Sequence, residues 1–214
     1  MTDFNYTGYF ITPIYTLNKP EWVKDLNKYS DNFIKNSKKI NILENKKLFK
    51  KNIGDLTKVH HSTSLINVPS FQNIKNFVID QCPLILNQMG YDISNHKMVM
   101  TEMWVQEFGE KGGGSHEGHI HSNNHISGFY FLKCSDKTSF PVFHDPRHTK
   151  VMMQLPEKNK NDITFINDLI NYKPKPGTLI LFPAFLEHSF IPDVGIDPFR
   201  FIHFNIQAIN NNVL

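Results

Sequence analysis

Residues 116–132 read HEGHIHSNNHISGFYFL, and this stretch decides the fold. His119 and His121 are two residues apart, and in an extended segment such residues point to the same side. Imidazole is a good ligand for iron, zinc, copper and nickel. The aromatic and β-branched run that follows predicts a strand over Ile126–Lys133. A His-x-His pair alone is more often polar surface than a metal site, so the rest of the chain must decide.

Short β-like runs separated by Gly, Pro and Asn fill the chain from Lys97 onward. The predicted strands are Met98–Phe108, Ile126–Lys133, Ser139–Phe143, Lys150–Leu155, Thr178–Phe182, Glu187–Ile191 and Phe199–Ile209. A polar insertion, Lys158–Asn171, interrupts them and has room for a short helix. Many short strands at this spacing predict an antiparallel sandwich or barrel.

The N-terminal third reads as mixed α and β. Tyr9–Tyr15 has strand composition, although Pro13 confines it to a sheet edge. Apolar residues at spacings of three and four predict amphipathic helices over Pro20–Asn36 and Ser70–Met89. We expect Pro83 to kink or divide the second helix, and the helices to pack against one face of the β-sheet.

Length and composition favour one domain over 1–214, with a buttress at 1–96 and a β core at 97–209. The chain has 214 residues, of which 40% are hydrophobic, so disorder is excluded as a description of the whole. No apolar run is long enough to span a membrane, and the net charge of +3 is scattered, which predicts no nucleic-acid partner. Two cysteines and the lack of a secretory leader predict a cytoplasmic location.

A second group of residues lies towards the C-terminus. The turn Pro176–Gly177 leads into the apolar strand, His188 follows it, and Arg200 comes twelve residues later. The chain has 23 basic residues, yet only Arg147 and Arg200 are arginines. Because guanidinium binds carboxylates in a bidentate geometry that lysine lacks, both arginines are candidates for recognising an acid.

The order of these elements resembles the iron(II)/2-oxoglutarate-dependent oxygenases, and within them a subgroup with a His-x-His-Pro-Asn motif. The resemblance covers roughly 98–209. It rests on four segments in sequence order: His119-Ile120-His121-Ser122-Asn123, Ser127-Gly128-Phe129-Tyr130-Phe131-Leu132, Phe143-His144-Asp145-Pro146-Arg147 and Phe182-Pro183-Ala184-Phe185-Leu186-Glu187-His188.

The resemblance implies a double-stranded β-helix, which is a cupin-like jelly roll, with iron(II) held by three side chains. His119 and His188 are the implied proximal and distal ligands, and His121 stands where the superfamily usually has a carboxylate. Three neutral imidazoles depart from the common set of two histidines and one carboxylate. Glu117, two residues before His119, is the main alternative as third ligand, and Asp145 on a later strand is another.

The same resemblance assigns residues to the cosubstrate, 2-oxoglutarate. Arg200 is the implied partner of its far carboxylate, and Tyr130, Ser127 and Asn205 are assigned to its binding. Arg147 has two interpretations, a contact with substrate or a salt bridge that stabilises the Asp145-Pro146 turn.

Three further histidines receive other roles. His116 and His125 are expected at the rim or behind the ligands, because a site with open coordination positions needs only three protein ligands. His203 lies in an apolar run and is expected to be a core residue.

The implied activity is hydroxylation of a substrate by iron(II), 2-oxoglutarate and dioxygen, with release of succinate and CO₂. The alternative is a non-oxidative, cupin-like β-sandwich that holds zinc or nickel, as an isomerase or a binding module. A third alternative keeps the fold for interaction only. The sequence names no substrate, which can be a small molecule or a protein, and a homodimer stays open.

Overall fold

The computed structural model describes residues 7–153 and 155–213, so residues 1–6 and 214, the ends of the expected domain, lie outside it. Ten strands form two antiparallel sheets. They are β1 (Tyr15–Asn18), β2 (Val59–His61), β3 (His96–Phe108), β4 (His116–His119), β5 (Ile126–Lys133), β6 (Pro141–His144), β7 (Leu169–Asn171), β8 (Thr178–Pro183), β9 (His188–Phe190) and β10 (Arg200–Asn210). The larger sheet has the order β1-β8-β5-β10-β3-β2, and the smaller has the order β4-β9-β6-β7. The predicted jelly roll is confirmed.

The larger sheet is buried on both faces, which explains why its central strands are almost continuously apolar. Alternate residues of β5 face opposite sides: Tyr130 packs with the helices, whereas Phe129 and Phe131 lie between the two sheets. Phenylalanine dominates the layer between the sheets, at positions 108, 129, 131, 143, 182, 190, 199 and 201. This aromatic layer surrounds the histidines described below.

Two helices cover the outer face of the larger sheet, as expected. They are α1 (Val23–Phe49) and α2 (Gln72–Gln88). α1 extends well beyond the predicted end at Asn36 and stops where Lys50 adopts a left-handed conformation, with φ 54°. α2 continues through Pro83 instead of dividing there, because Val78 and Cys82 before the proline and Ile85 after it are buried in one apolar cluster.

Several local predictions in the loops and at the sheet edges were wrong. The N-terminal strand begins only at Tyr15, and Lys150–Leu155 is not a strand. A 3-10 helix covers His148–Met153 instead, and Lys150 Nζ donates to the carbonyl oxygens of Ile166 and Asn167; residue 154 lies outside the described part. The polar insertion has turns and β7 in place of a helix. The sequence also missed β2 and β4, whose residues VHH and HEGH lack a strand-like apolar pattern.

None of the helices in the described part of the chain combines the length and the apolar character that crossing a membrane requires.

Candidate metal centre

Three histidines meet at one end of the space between the sheets. His119 ends β4 and lies directly opposite His188, which begins β9. His121 follows β4, and its backbone N–H donates to the carbonyl oxygen of Ala184 at 3.0 Å. One nitrogen from each of the three rings lies within 4.8 Å of the others. The pairing of β4 with β9 therefore brings together ligands that are far apart in sequence.

Hydrogen bonds orient two of these rings for metal binding. His119 Nδ1 lies 2.8 Å from the carbonyl oxygen of Glu117, and His188 Nδ1 lies 3.0 Å from that of Leu186. A carbonyl oxygen only accepts, so each Nδ1 carries the proton and each Nε2 keeps its lone pair. Nε2 of His188 is buried, with no hydrogen-bond partner among the described residues. An unpartnered buried nitrogen is what a metal ion would satisfy.

The third ring, His121, is held by Asn205. Asn205 Nδ2 lies 2.9 Å from His121 Nδ1, and Ser127 Oγ donates to Asn205 Oδ1 at 2.7 Å. Nε2 of His121 is buried and unpartnered within the described chain. Asn205 Nδ2 also donates to Glu102 Oε2 at 2.6 Å, so this amide connects His121 with Ser127 and Glu102. Asn205 and Ser127, both predicted to be site residues, therefore lie beside the ligands.

Two of the three imidazoles, those of His121 and His188, are neutral at physiological pH. Burial lowers the pKa of His121 and of His188 to about 3 in each case. No protonation therefore competes with a metal at these two rings near pH 7, since metal binding needs the neutral imidazole. The residues fit a divalent ion such as iron(II), whose two positive charges would be balanced by anionic ligands from solution.

A small inner cavity of about 50 Å³ lies between the sheets on one side of the histidine cluster. Its lining residues are Trp104, His116, His119, His121, Phe129, Phe190, Phe201 and His203. On the other side is an outer cleft of about 400 Å³. Its lining residues are Gly118, His119, Ile120, Pro146, His148, Phe185 and Glu187. His119 lines both spaces, so a metal held there can be reached from the outer cleft.

Arg200 and Tyr130 do not reach this centre, contrary to the sequence prediction. Arg200 Nη1 lies 2.7 Å from Asp31 of α1, and its Nη2 lies 2.6 Å from Glu107. Tyr130 Oη donates to the carbonyl oxygen of Lys19 at 2.6 Å. Both side chains face the helices, because they alternate along their strands with the residues that face the histidines. A one-residue difference in register decides the face.

The remaining candidates divide between the cavity and the surface. Glu117 is exposed and contributes its backbone carbonyl oxygen, so the cluster contains His121 in its place. His125 is also exposed, and its Nδ1 accepts from the backbone N–H of Ala208. His116 lines the inner cavity, behind the ligands as expected.

Arg147 binds Asp145 through two nitrogens, Nε and Nη2. Its position agrees with the salt bridge that stabilises the turn.

Sequence reasoning missed two residues. His203 was expected in the core, yet it lines the inner cavity, and neither of its ring nitrogens has a hydrogen-bond partner in the described ranges. Glu187 lies in the outer cleft, with its carboxylate against the backbone of Gly118. The only sequence signal for Glu187 was its place immediately before His188.

Comparisons with known proteins agree with this geometry. Residues 102–205 match a family described as "Putative 2OG-Fe(II) oxygenase". Among solved structures, AviO1 from Streptomyces viridochromogenes Tue57 has a TM-score of 0.59 at 10% identity, covering 92% of this chain and 90% of that one. A prolyl-4-hydroxylase from Pseudomonas putida has a TM-score of 0.54 at 9% identity, covering 92% and 93%.

HygX from Streptomyces hygroscopicus, solved with nickel and 2-oxoglutarate bound, has a TM-score of 0.52 at 9% identity, covering 92% of this chain and 83% of that one. At such low identities these likenesses establish the fold alone. A comparison with curated proteins finds no match. The matched region contains His119, His121 and His188, the three residues that the fold brings together. Residues 102–205 therefore match the family of 2-oxoglutarate- and iron(II)-dependent oxygenases.

Proposed function

We propose that this protein is an iron(II)-dependent oxygenase that hydroxylates a C–H bond of a substrate held in the outer cleft. The observation that carries the proposal is the cluster of three imidazoles, His119, His121 and His188, of which His119 lines both the inner cavity and the outer cleft. Three protein ligands leave coordination positions free for other molecules. Such a centre suits a reaction in which several reagents meet at one ion.

Iron bound there would supply the oxidation chemistry of the family, in which dioxygen and 2-oxoglutarate are consumed and succinate and CO₂ are released. The chain contributes the environment. Its histidines occupy three positions, while Phe129 and Phe190 keep water out of the inner side. Because the protein ligands are neutral, an anionic 2-oxo acid would balance the charge of the ion.

The outer cleft is the proposed entrance for substrate. Ile120 and Phe185, which are 51% and 53% exposed, give the cleft wall an apolar part that an apolar substrate could contact. Glu187 adds a carboxylate on the same wall. These groups favour a substrate with an apolar body and a hydrogen-bond donor or positive charge near the bond that is oxidised.

Metal analysis combined with succinate release tests the function without a known substrate. The protein, loaded anaerobically with iron(II), is exposed to dioxygen and 2-oxoglutarate, and succinate is measured. We expect one iron per chain and slow succinate formation that needs the metal. A matched sample loaded with zinc controls for contaminating activity.

A non-oxidative metalloprotein is the second candidate, because three histidines without a carboxylate also suit zinc or nickel. It predicts that zinc binds in preference to iron and that the iron-loaded protein releases no succinate. That pair of results would overturn the oxygenase proposal.

A further inference from the structure

The strand β10 presents an unusual series of residues to the space between the sheets. Phe199 precedes the strand and Phe201, His203 and Asn205 follow at alternate positions; all four lie on the side of the histidines. Arg200, between the two phenylalanines, points to α1. Where an acid-binding cation would be expected, the strand therefore offers two aromatic rings.

Among the described residues that line it, the inner cavity has no lysine or arginine side chain. Arg200 cannot serve from its present position, because it faces the opposite side of the larger sheet and binds two carboxylates, those of Glu107 and Asp31. Turning it inwards would leave the buried Glu107 carboxylate without its closest partner, at a large free-energy cost. The Arg200 guanidinium therefore stays on the helix side of the larger sheet.

Aromatic rings make the cavity wall apolar. Phe190 and Phe201 stack with their ring centroids 4.9 Å apart and nearly parallel, at 3°. Phe129 lies 5.3 Å from Phe201, again between centroids. A carboxylate placed against these rings would lose its hydration without gaining a charged partner, which is unfavourable. An alkyl group of the same size would be stabilised by the same contacts.

The polar groups of the cavity do not replace the missing cation. His203 is 1% exposed, and neither of its ring nitrogens has a hydrogen-bond partner among the described residues. Gln106, which is fully buried next to the cavity-lining His116, directs its Nε2 to His116 and leaves Oε1 without a partner in the described chain. An unpartnered amide oxygen accepts hydrogen bonds and does not bind anions. Gln106 therefore does not compensate the charge of a carboxylate in the cavity.

We propose that the inner cavity accepts 2-oxo acids with an apolar tail, and that the second carboxylate of 2-oxoglutarate adds no affinity in this protein. The inference rests on the proposed function, since it assumes that a 2-oxo acid chelates the metal through its 1-carboxylate and 2-oxo group. The carbon chain of the acid beyond its 2-oxo group would then contact Phe129, Phe190 and Phe201 of the inner cavity. Monocarboxylic 2-oxo acids are therefore accepted as cosubstrates together with the dicarboxylic 2-oxoglutarate.

Anaerobic titration of the iron(II)-loaded wild-type protein tests the proposal. The visible absorption that appears when a 2-oxo acid chelates iron(II) is followed for 2-oxoglutarate and for 2-oxopentanoate, which has the same chain length without the second carboxylate. We expect 2-oxopentanoate to bind at least as tightly as 2-oxoglutarate. Binding of 2-oxoglutarate that is tighter by about tenfold or more, the effect of one modest ionic contact, would overturn the proposal and leave the proposed function intact.

If the proposed function is wrong, the same titration gives a different result. In that case neither acid produces the absorption, although metal analysis shows iron in the protein. That outcome rejects the chelate itself, and the inference is rejected together with it.

Two variants at adjacent residues test which side of the strand affects binding of the acid. Phe201→Arg places a cation on the cavity wall and is expected to tighten 2-oxoglutarate about tenfold, without tightening 2-oxopentanoate. Arg200→Lys is expected to leave the ratio of the two affinities unchanged. A selective loss of 2-oxoglutarate affinity in Arg200→Lys would overturn the proposal. The wild-type titration decides the matter if Phe201→Arg does not fold.

Discussion

Arg200 and Glu107 lie directly opposite each other on β10 and β3, and Arg200 Nη2 is 2.6 Å from Glu107 Oε2. Their side chains are only 4% and 6% exposed. Asp31 of α1 binds the same guanidinium at 2.7 Å, and Lys38 of α1 binds Glu107 at 2.9 Å. These ion pairs connect α1 to β3 and β10, on the face of the larger sheet that is opposite the histidine cluster.

Replacement of Arg200 should therefore affect stability and leave the metal site unaffected. Arg200→Met leaves the buried Glu107 carboxylate without its closest partner, and removal of one member of a buried ion pair costs about 3–5 kcal/mol. Chemical denaturation measures the loss, and metal analysis measures the iron content. Arg147→Met is the control, because the Arg147 side chain is 49% exposed and exposed pairs contribute at most about 1 kcal/mol. Loss of iron in Arg200→Met at unchanged stability would contradict this role.

Removal of a ligand should abolish metal binding. His119→Ala or His188→Ala leaves two protein ligands, too few to compete with water and buffer for iron(II). The matched control is His125→Ala, which removes an exposed histidine near the same loop. Metal content after dialysis checks the result. Wild-type iron stoichiometry in either ligand variant would show that the centre lies elsewhere.

A carboxylate should be accepted at position 121. His121→Asp converts the three-histidine set into two histidines and one carboxylate, the set common for iron(II), and restores a negative charge at the ion. We expect the variant to bind iron at least as tightly as wild type in a competition assay with a chelator. Complete loss of iron in His121→Asp, together with loss in Glu117→Ala, would assign the third position to Glu117.

Asn205 should act as a positioning residue for His121. Its side-chain amide contacts His121 Nδ1 at 2.9 Å, and loss of such a contact behind a metal ligand typically weakens metal affinity about 10- to 100-fold. Asn205→Leu is therefore expected to raise the dissociation constant for iron(II) within that range, while far-UV circular dichroism stays the same. Gln207→Leu, two residues along the same strand, is the control. Equal affinities for both variants would remove Asn205 from the site.

Acid should destabilise the metal-free protein before its carboxylates titrate. Burial lowers the pKa of His188 to about 3 and also lowers that of His203, whereas an unfolded histidine has a pKa of about 6.5. Below pH ~6.5 these histidines bind protons in the unfolded state but not in the native state. The free energy of unfolding should then fall by about 1.4 kcal/mol per pH unit for each such histidine.

Urea denaturation at several pH values between about 6.5 and 5 measures this slope. His203→Phe should reduce it by up to one proton, while His125→Ala, an exposed position, should leave it unchanged. A stability that is independent of pH in this range would show that these rings are already charged in the native state.

From the sequence alone one could predict the strands that are buried on both faces and the three histidines that the fold brings together. Ile126–Lys133 was predicted with the bounds that β5 has, and β3, β8 and β10 were predicted to within two residues. Long apolar, β-branched runs specify such strands locally. His119, His121 and His188 could be recognised because spacing along a strand and the order of motifs are properties of the chain.

Only the tertiary structure decided which way the side chains on those strands point. Spacing placed Arg200 twelve residues after His188, but its face depends on the pairing of β10 with β3 and β5, and a shift of one residue reverses it. In the same way, Pro83 lies inside a continuous helix because neighbouring residues pack against the sheet. Register and packing are interactions between distant segments, so no local pattern encodes them.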